Sequence, residues 1–354
     1  MASSTGGGVM ALSGRESRLA RLVAVGAMMG AVALIGGELP AGSVRMAGMD
    51  TDKRNAVPLS KGISTWAYRY SDGMARQVQS FNSRARPDLG FRYLFSYAGS
   101  VGFTNEKGEA TVHYSSKATR AYARALPGVL MMPIVDGRTD KGEFNGWTDE
   151  QYREAARKVA ERVIEDADAA GVQIDIEPFS ADHLPFYQHL REMLNAEGKH
   201  CTMFVGPWGK ELLTRIFQSC DIVVMSGYDL DGDGSALSDY RTAMERSVAR
   251  FQQVAEETGG HYMIGIPAAA SWGEYEYTAG GDGGRVETGV KQEEYVKAAL
   301  DVVRGYRDRP EYVGIALWHM SDPDTEFEEP DKATEPTKFP NIIRESVWKM
   351  LEDY

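Results

Sequence analysis

The chain has 354 residues, 43% of them hydrophobic and 25% charged, which is the composition of a soluble globular protein long enough for a full-sized core. Its 39 Lys and Arg stand against 51 Asp and Glu, a formal charge of −12, and no run of basic residues reverses that balance locally. Nucleic acid is excluded as the expected partner, because phosphate binding needs clustered positive charge; a neutral or cationic ligand is expected instead.

The amino terminus reads as an export signal rather than as part of the fold. Arg15, Arg18 and Arg21 precede an apolar run of 14 residues, Leu22 to Ile35, which Gly36, Gly37 and Pro40 then break. That run is shorter than the roughly 20 residues needed to span a bilayer, so residues 1–48 are expected to be removed, with an uncleaved signal anchor as the alternative. Residues 49–60 are a linker, and 61–354 form one domain that is exported to the periplasm or medium and has no stable membrane insertion.

From Gly62 onward, short β-rich apolar runs alternate with helical stretches. The strands are predicted at Gly62–Tyr70, Phe91–Gly99, Val129–Gly137, Gly171–Glu177, Cys201–Gly206, Asp221–Asp229, Tyr262–Pro267 and Tyr312–Met320. Between and after them lie a weak helix ending near Arg84 and helices at Lys117–Ala125, about Asp149–Ala170, about Asp182–Asn195, Lys210–Phe217, about Leu237–Thr258, Lys291–Arg304 and near Asn341–Glu352. In the long third helix Thr148 is the expected N-cap and Gly171 the stop, while Val159, Val163 and Ile164 mark one buried face. Strand then helix, eight times over, predicts an α/β fold, a (β/α)8 TIM barrel. Cys201 and Cys220 each open a buried run, and if those runs are neighbouring parallel strands the two sulfurs lie at similar heights; a disulfide is expected in an exported protein.

Functional residues of such barrels come from the C-terminal ends of the strands. Those ends offer Tyr97, Asp136, Asp175 and Glu177, then Trp208, Tyr228, Asp229, Trp272 and Trp318. Side chains on a strand repeat every two residues, so Asp175 and Glu177 share one face and Val172, Ile174 and Ile176 the other. Two acids so close repel one another, and one is expected to keep a proton at neutral pH and act as a general acid. Carboxylates ringed by aromatic side chains suit a carbohydrate, whose apolar faces stack on Trp and Tyr.

With these residues in place, the chain resembles the family 18 glycoside hydrolases, the chitinases and their relatives. GVQIDIE is similar to that family's fourth-strand D-x-x-D-x-D-x-E signature, VMSGYD to its sixth-strand Met-x-Tyr-Asp element with one extra residue, IGIPAAASW to its seventh-strand Gly-x-Pro stretch, and GIALWHMSD to the run that ends in the Trp flooring the cleaved sugar. The resemblance implies a retaining, substrate-assisted hydrolysis in which the 2-acetamido oxygen of the sugar is the nucleophile. It assigns Glu177 as general acid, Asp175 as its helper and Tyr228 as the hydrogen-bond donor to the acetamido carbonyl. Trp318 stacks under the ring, and Asp229, Tyr97, Asp136, Gln173, Trp208 and Trp272 complete the binding surface. The chain departs from the family at Ala170 and Gln173, where the signature has Asp, and at Pro133 and Asp136, where a third-strand Ser-x-Gly-Gly is usual. In the family the acid at the position of Asp175 turns between its two acidic neighbours, a relay that an amide at position 173 changes.

Two other readings stay open on the same barrel. A two-carboxylate retaining glycosidase would use Glu274 or Glu276 as nucleophile, and a non-catalytic glycan-binding protein would keep the aromatic surface without turnover. DLDGDG, Asp229 to Gly234, has calcium-loop oxygen spacing, but Tyr240 stands where a bidentate Glu is needed, so it reads as a polar turn. The six His form no H-E-x-x-H or similar group, and no metal or organic cofactor is implied.

Overall fold

The computed structural model describes residues 59–86, 88–104, 109–138, 147–228, 230, 237–268, 275–277, 285–287, 290–320 and 343–354. The leader at 1–48, most of the linker, Asp229, Trp272 and Glu274 lie outside the described residues.

The described residues form a curled mixed sheet of 11 strands with eight α-helices. In chain order these are β1 (Gly62–Trp66), α1 (Asp72–Arg84), β2 (Phe91–Phe95), β3 (Tyr97–Thr104), β4 (Glu109–Tyr114), α2 (Lys117–Ala125), β5 (Leu130–Met131), β6 (Ile134–Arg138), α3 (Asp149–Glu165), β7 (Gly171–Glu177), α4 (Leu184–Ala196), β8 (His200–Val205), α5 (Lys210–Phe217), β9 (Ile222–Met225), α6 (Leu237–Thr258), β10 (His261–Pro267), the two short strands β11 (Tyr275–Tyr277) and β12 (Arg285–Glu287), α7 (Gln292–Val303), β13 (Tyr312–Trp318) and α8 (Glu345–Glu352). Hydrogen-bonded neighbours follow the order β4-β3-β6-β7-β8-β9-β10-β13-β1-β2-β5, while β11 and β12 pair separately as an antiparallel hairpin. Both ends of that order belong to consecutive chain. Only Ser96 separates β2 from β3, and only Met132 and Pro133 separate β5 from β6. Across these breaks Met132 N donates to Leu94 O at 2.9 Å and Ile134 N to Ser96 O at 2.7 Å.

Two corrections to the sequence reading follow. The second and third predicted strands are each interrupted, the latter at Pro133, which has no N–H for the ladder. After the first interruption the chain makes an antiparallel β3–β4 hairpin where a loop is expected, with Gly99 opposite Tyr114 and Thr104 opposite Glu109. Helix α3 also stops at Glu165, five residues short of its expected end. Its start does have the expected cap: Thr148 accepts from Gln151 N, and the Gln151 side chain accepts from Thr148 N.

Because both faces of the sheet are covered, the strands read as continuous apolar runs. Along β9, Val223 and Met225 join the outer core against the helices, while Ile222 and Val224 join an inner cluster with Trp66, Phe95, Tyr228 and Met263. Gly171 begins β7 because a Cβ there would sit 2.2 Å from His200 O on β8. The approach to β7 is tied down from outside: Tyr114 OH donates to Asp166 Oδ2 at 2.8 Å, Lys158 Nζ to Ala110 O at 3.0 Å, and Lys199 Nζ to Asp166 O at 3.0 Å and to Ala169 O. No described helix is long and apolar enough to cross a membrane.

The expected disulfide is also corrected, since Cys201 and Cys220 are free, buried thiols. The strand register explains this. Thr202 lies opposite Ile222, so Cys201 faces Asp221, and Cys220 is one residue too early. Burial pushes both thiols above their ordinary range. Asp221 occupies the place of the missing bridge, accepting from Cys201 N at 2.8 Å, Arg191 Nε at 2.8 Å and Asn195 Nδ2 at 3.2 Å. Removing that carboxylate strands three donors, so Asp221→Ala is expected to cost about 3 kcal/mol, read from the urea midpoint. The denatured chain is expected to take up two alkyl groups whether or not reductant is present; a chain that takes up none without reductant contradicts the free-thiol assignment.

Candidate functional site

The site grows from the two-residue period of β7. Gln173, Asp175 and Glu177 share one face, and burial falls along it: Gln173 is buried, Asp175 partly exposed and Glu177 exposed. The register with β6 adds a third acid, because Asp136 lies directly opposite Asp175. Asp136 in turn accepts from Tyr97 OH at 3.4 Å, and burial, followed by the Asp136 charge, pushes the Tyr97 phenol up to about 12.

The acids perturb one another. Asp175 is pushed well above the usual carboxylate range, first by burial, then by Glu177 and Asp136. Its Oδ1 is buried and has no hydrogen-bond partner. The cluster therefore retains a proton at pH values where an isolated pair of acids would hold none.

A cluster of aromatic rings lines the sheet interior and is joined to β7 through the Trp66 bond to Gln173. Tyr228 stacks on Trp318 with ring centroids 4.6 Å apart and an interplanar angle of 19°, and lies parallel to Phe204 at 6.3 Å and 17°. Trp66, at the end of β1, meets Tyr228 and Phe204 edge-on and packs against Phe95 at 5.4 Å. Gly265 makes room for this: a Cβ there would stand 3.3 Å from the Tyr228 ring and 3.4 Å from Trp66. Trp208 stands apart from that group and pairs with Phe179, two residues after Glu177, at 6.2 Å.

The predicted residues thus divide. Asp136, Asp175, Glu177 and Tyr97 come together on one side, and Tyr228 with Trp318 forms the wall. Gln173 is fully buried beneath the acids, where its Oε1 accepts from Trp66 Nε1 at 2.6 Å. Trp66 and Phe204 are the residues sequence reasoning missed. Trp66 carries the same signal as the others, an aromatic residue at the C-terminal end of a strand, but on the first strand. Phe204 sits inside its strand, and only the alternation of β8 points it inward.

No three His, Cys, Asp or Glu side chains among the described residues converge with metal-holding geometry. A cavity of about 260 Å³ lies at the opposite ends of the strands, near Gly62 and Gly314. Its charged groups are engaged with their surroundings: Lys61 Nζ donates to Arg307 O and Arg309 O, and Arg307 pairs with Asp88 at 3.3 Å.

No family model and no curated protein matches the chain in sequence. Solved structures match it in fold. A chitinase from Chromobacterium violaceum superposes with a TM-score of 0.50 at 14% identity, over 83% of this chain and 98% of that one. A GH113 beta-1,4-mannanase gives 0.51 at 13% identity, over 84% and 99%. A Lactobacillus rhamnosus beta-glucuronidase gives 0.51 at 11% identity, over 84% of this chain and 49% of its own length. These neighbours are glycoside hydrolases, and at such identities what the chain shares with them is a fold alone, an α/β arrangement built on a curled mixed sheet.

Asp175 holds a proton in the folded chain at pH values where the unfolded chain releases it, so it lowers folding stability as pH rises from about 4 towards its folded value. Asp175→Asn removes that penalty. Its urea midpoint is expected to gain on the wild type between about pH 4 and pH 7; a difference that does not change with pH would place the proton elsewhere.

Proposed function

We propose that the chain is a glycoside hydrolase that cleaves β-linked glycans containing N-acetylglucosamine, on a (β/α)8 barrel spanning residues 61–354 and as a divergent member of glycoside hydrolase family 18. What supports this reading is the set of three carboxylates towards the ends of β6 and β7 together with the stacked Tyr228–Trp318 pair in the aromatic lining of the same sheet. A sugar ring lying on Trp318 presents its glycosidic oxygen to the acids, and the aromatic wall keeps water from competing for them. The two-part strands β2/β3 and β5/β6 count as one barrel strand each in this reading, and the leader at Leu22 to Ile35 directs export.

The roles follow from depth. Glu177 is the exposed member of the cluster and reaches the leaving glycosidic oxygen, to which it gives the cluster's proton. Asp175, deeper and next to it, orients the 2-acetamido group as its carbonyl oxygen closes on the anomeric carbon, and takes up the N–H that gains positive charge. Tyr228 holds the acetamido carbonyl in line. Water then opens the oxazolinium ion, and Glu177, now a base, takes the water's proton, which restores the acid and retains the anomeric configuration.

A panel of chitin oligomers, peptidoglycan fragments and N-glycans, scored by mass spectrometry, tests the substrate. On the oligomer that is cleaved, Glu177→Gln is expected to lower turnover by about 10²- to 10⁴-fold with little change in KM. Turnover at the wild-type rate in that variant would remove Glu177 from the acid's role.

A further inference from the structure

The acidic balance of the chain breaks down at one place on its helical surface. Helix α2 carries Lys117, Arg120 and Arg124, all exposed, and no acid. Beside it, the turn after β1 and the start of α1 add Arg69 and Arg76, also exposed. The two segments are tied together in the fold: Tyr122 OH donates to Arg69 O at 2.7 Å, and Gln79 Nε2 to Ala125 O at 2.6 Å. No single run of sequence is basic enough to announce this patch, because its cations come from segments that β2, β3 and β4 separate along the chain.

These charges do not serve the helix that bears most of them. Lys117 opens α2, where the helix dipole disfavours a cation, and no acid stands in the first turn to offset it. Arg120 and Arg124 are four residues apart, so two like charges share one face and repel. Helix α3 treats its arginines differently: Arg153, Arg157 and Arg162 each pair with an Asp or Glu of the same helix. In the cationic patch Arg120 has Asp168 at 3.7 Å and Arg124 Nε donates to the Arg120 carbonyl at 3.3 Å, but Arg69, Lys117 and Arg124 have no ion pair among the described residues.

An aromatic ring completes the surface. Tyr70 is 38% exposed and meets Tyr122 edge-on at 4.9 Å. Its OH donates to Asp72 at 2.5 Å; that bond is the first cause raising the phenol, which also feels the charges of Arg124 and Arg76 and so lies close to both.

We propose that the α1–α2 surface, with Arg69, Arg76, Lys117, Arg120 and Arg124 around the Tyr70 ring, binds an acidic polysaccharide through the carboxylates of its uronic acid units. A cationic patch on a chain of formal charge −12 selects a polyanion, and the three cations of α2, spread over about 10 Å of helix, suit repeated charges on a polymer better than one small anion. Guanidinium groups match planar carboxylates with two parallel hydrogen bonds, and a Tyr ring takes the apolar face of a sugar. A membrane surface fits less well, because a helix that lies on lipid sets large apolar side chains beside its cations, and the partly exposed residues between those of α2 are alanines. The cations stand on helices and a turn rather than on the inward strand face of Asp175, so this second binding surface does not rest on the hydrolase reading.

The test is fluorescence anisotropy of an end-labelled oligogalacturonate titrated with the full chain, against competitors. The wild type is expected to bind at about 50 mM salt and to lose affinity as salt rises. Joint Lys117→Gln, Arg120→Gln and Arg124→Gln substitution is expected to weaken binding about 10- to 100-fold and to flatten the slope of log Kd against log salt by about two. Tyr70→Ser is expected to weaken it about fivefold at every salt concentration. Joint Arg153→Gln, Arg157→Gln and Arg162→Gln substitution on α3 removes the same formal charge and is expected to bind as the wild type does. The proposal is overturned if the wild type does not bind, if the two triple variants weaken alike, or if the methyl-esterified oligomer competes as well as the acid. Stronger competition by phosphatidylglycerol vesicles or by single-stranded RNA than by unlabelled oligogalacturonate overturns the choice of polysaccharide. Should the α2 triple variant fail to fold by circular dichroism, the Arg69→Gln, Arg124→Gln double variant decides, and wild-type affinity in it overturns the proposal.

Discussion

The structure depends on one register, that of β7 against β6. With Asp136 opposite Asp175 and the strand period at two, three acids and one amide are forced onto the same inward face. A slip of one residue would send Gln173, Asp175 and Glu177 into the outer core and bring Ile174 and Ile176 inside. The register is therefore held by the hydrophobic residues between the acids as much as by the ladder. Val172, Ile174 and Ile176 belong to the outer core, and each is buried. Packing the back of the strand makes it possible to keep mutually repelling groups on its front.

Much of this was legible in the residues. The β7 motif, the aromatic residues at strand ends and the alternation of strands with helices are periodic signals, and periodicity survives folding because it reflects which face is dry. Asp136 was legible as a strand-end acid, although its partnership with Asp175 was not, since pairing across strands is set by register rather than by composition. The same limit explains the cysteines: their similar positions in two runs gave the right strands and a height wrong by one residue. Pro133 and Ser96 interrupt strands at points where the apolar pattern continues, so the breaks stay hidden in a reading based on hydrophobicity. The β3–β4 hairpin escaped for a related reason. Its outer strand EATVHY has a single buried residue, Ala110, and no apolar run to announce it.

The site unites groups that pull in opposite directions. Burial raises the proton affinity of Asp175, while function in the proposed reading asks a neighbour to release a proton on demand. In that proposed reading the depth gradient along β7 would reconcile them, with the buried end storing the proton and the exposed end delivering it. The aromatic wall works on the other partner, since a stacked pair 4.6 Å apart offers a flat apolar surface that water leaves readily.

The ties on the approach to β7 give the strand a mechanical character. Tyr114 and Lys199 fasten the segment after α3 at Asp166, Lys158 fastens the helix itself to β4, and Gly171 seats the first residue hard against His200. The strand is thus a beam clamped at its root with its tip projecting towards solvent. The ladder reinforces this unevenly: β8 pairs with β7 only as far as Ile174, whereas β6 pairs with it as far as Glu177, so the root is held on both sides and the tip on one.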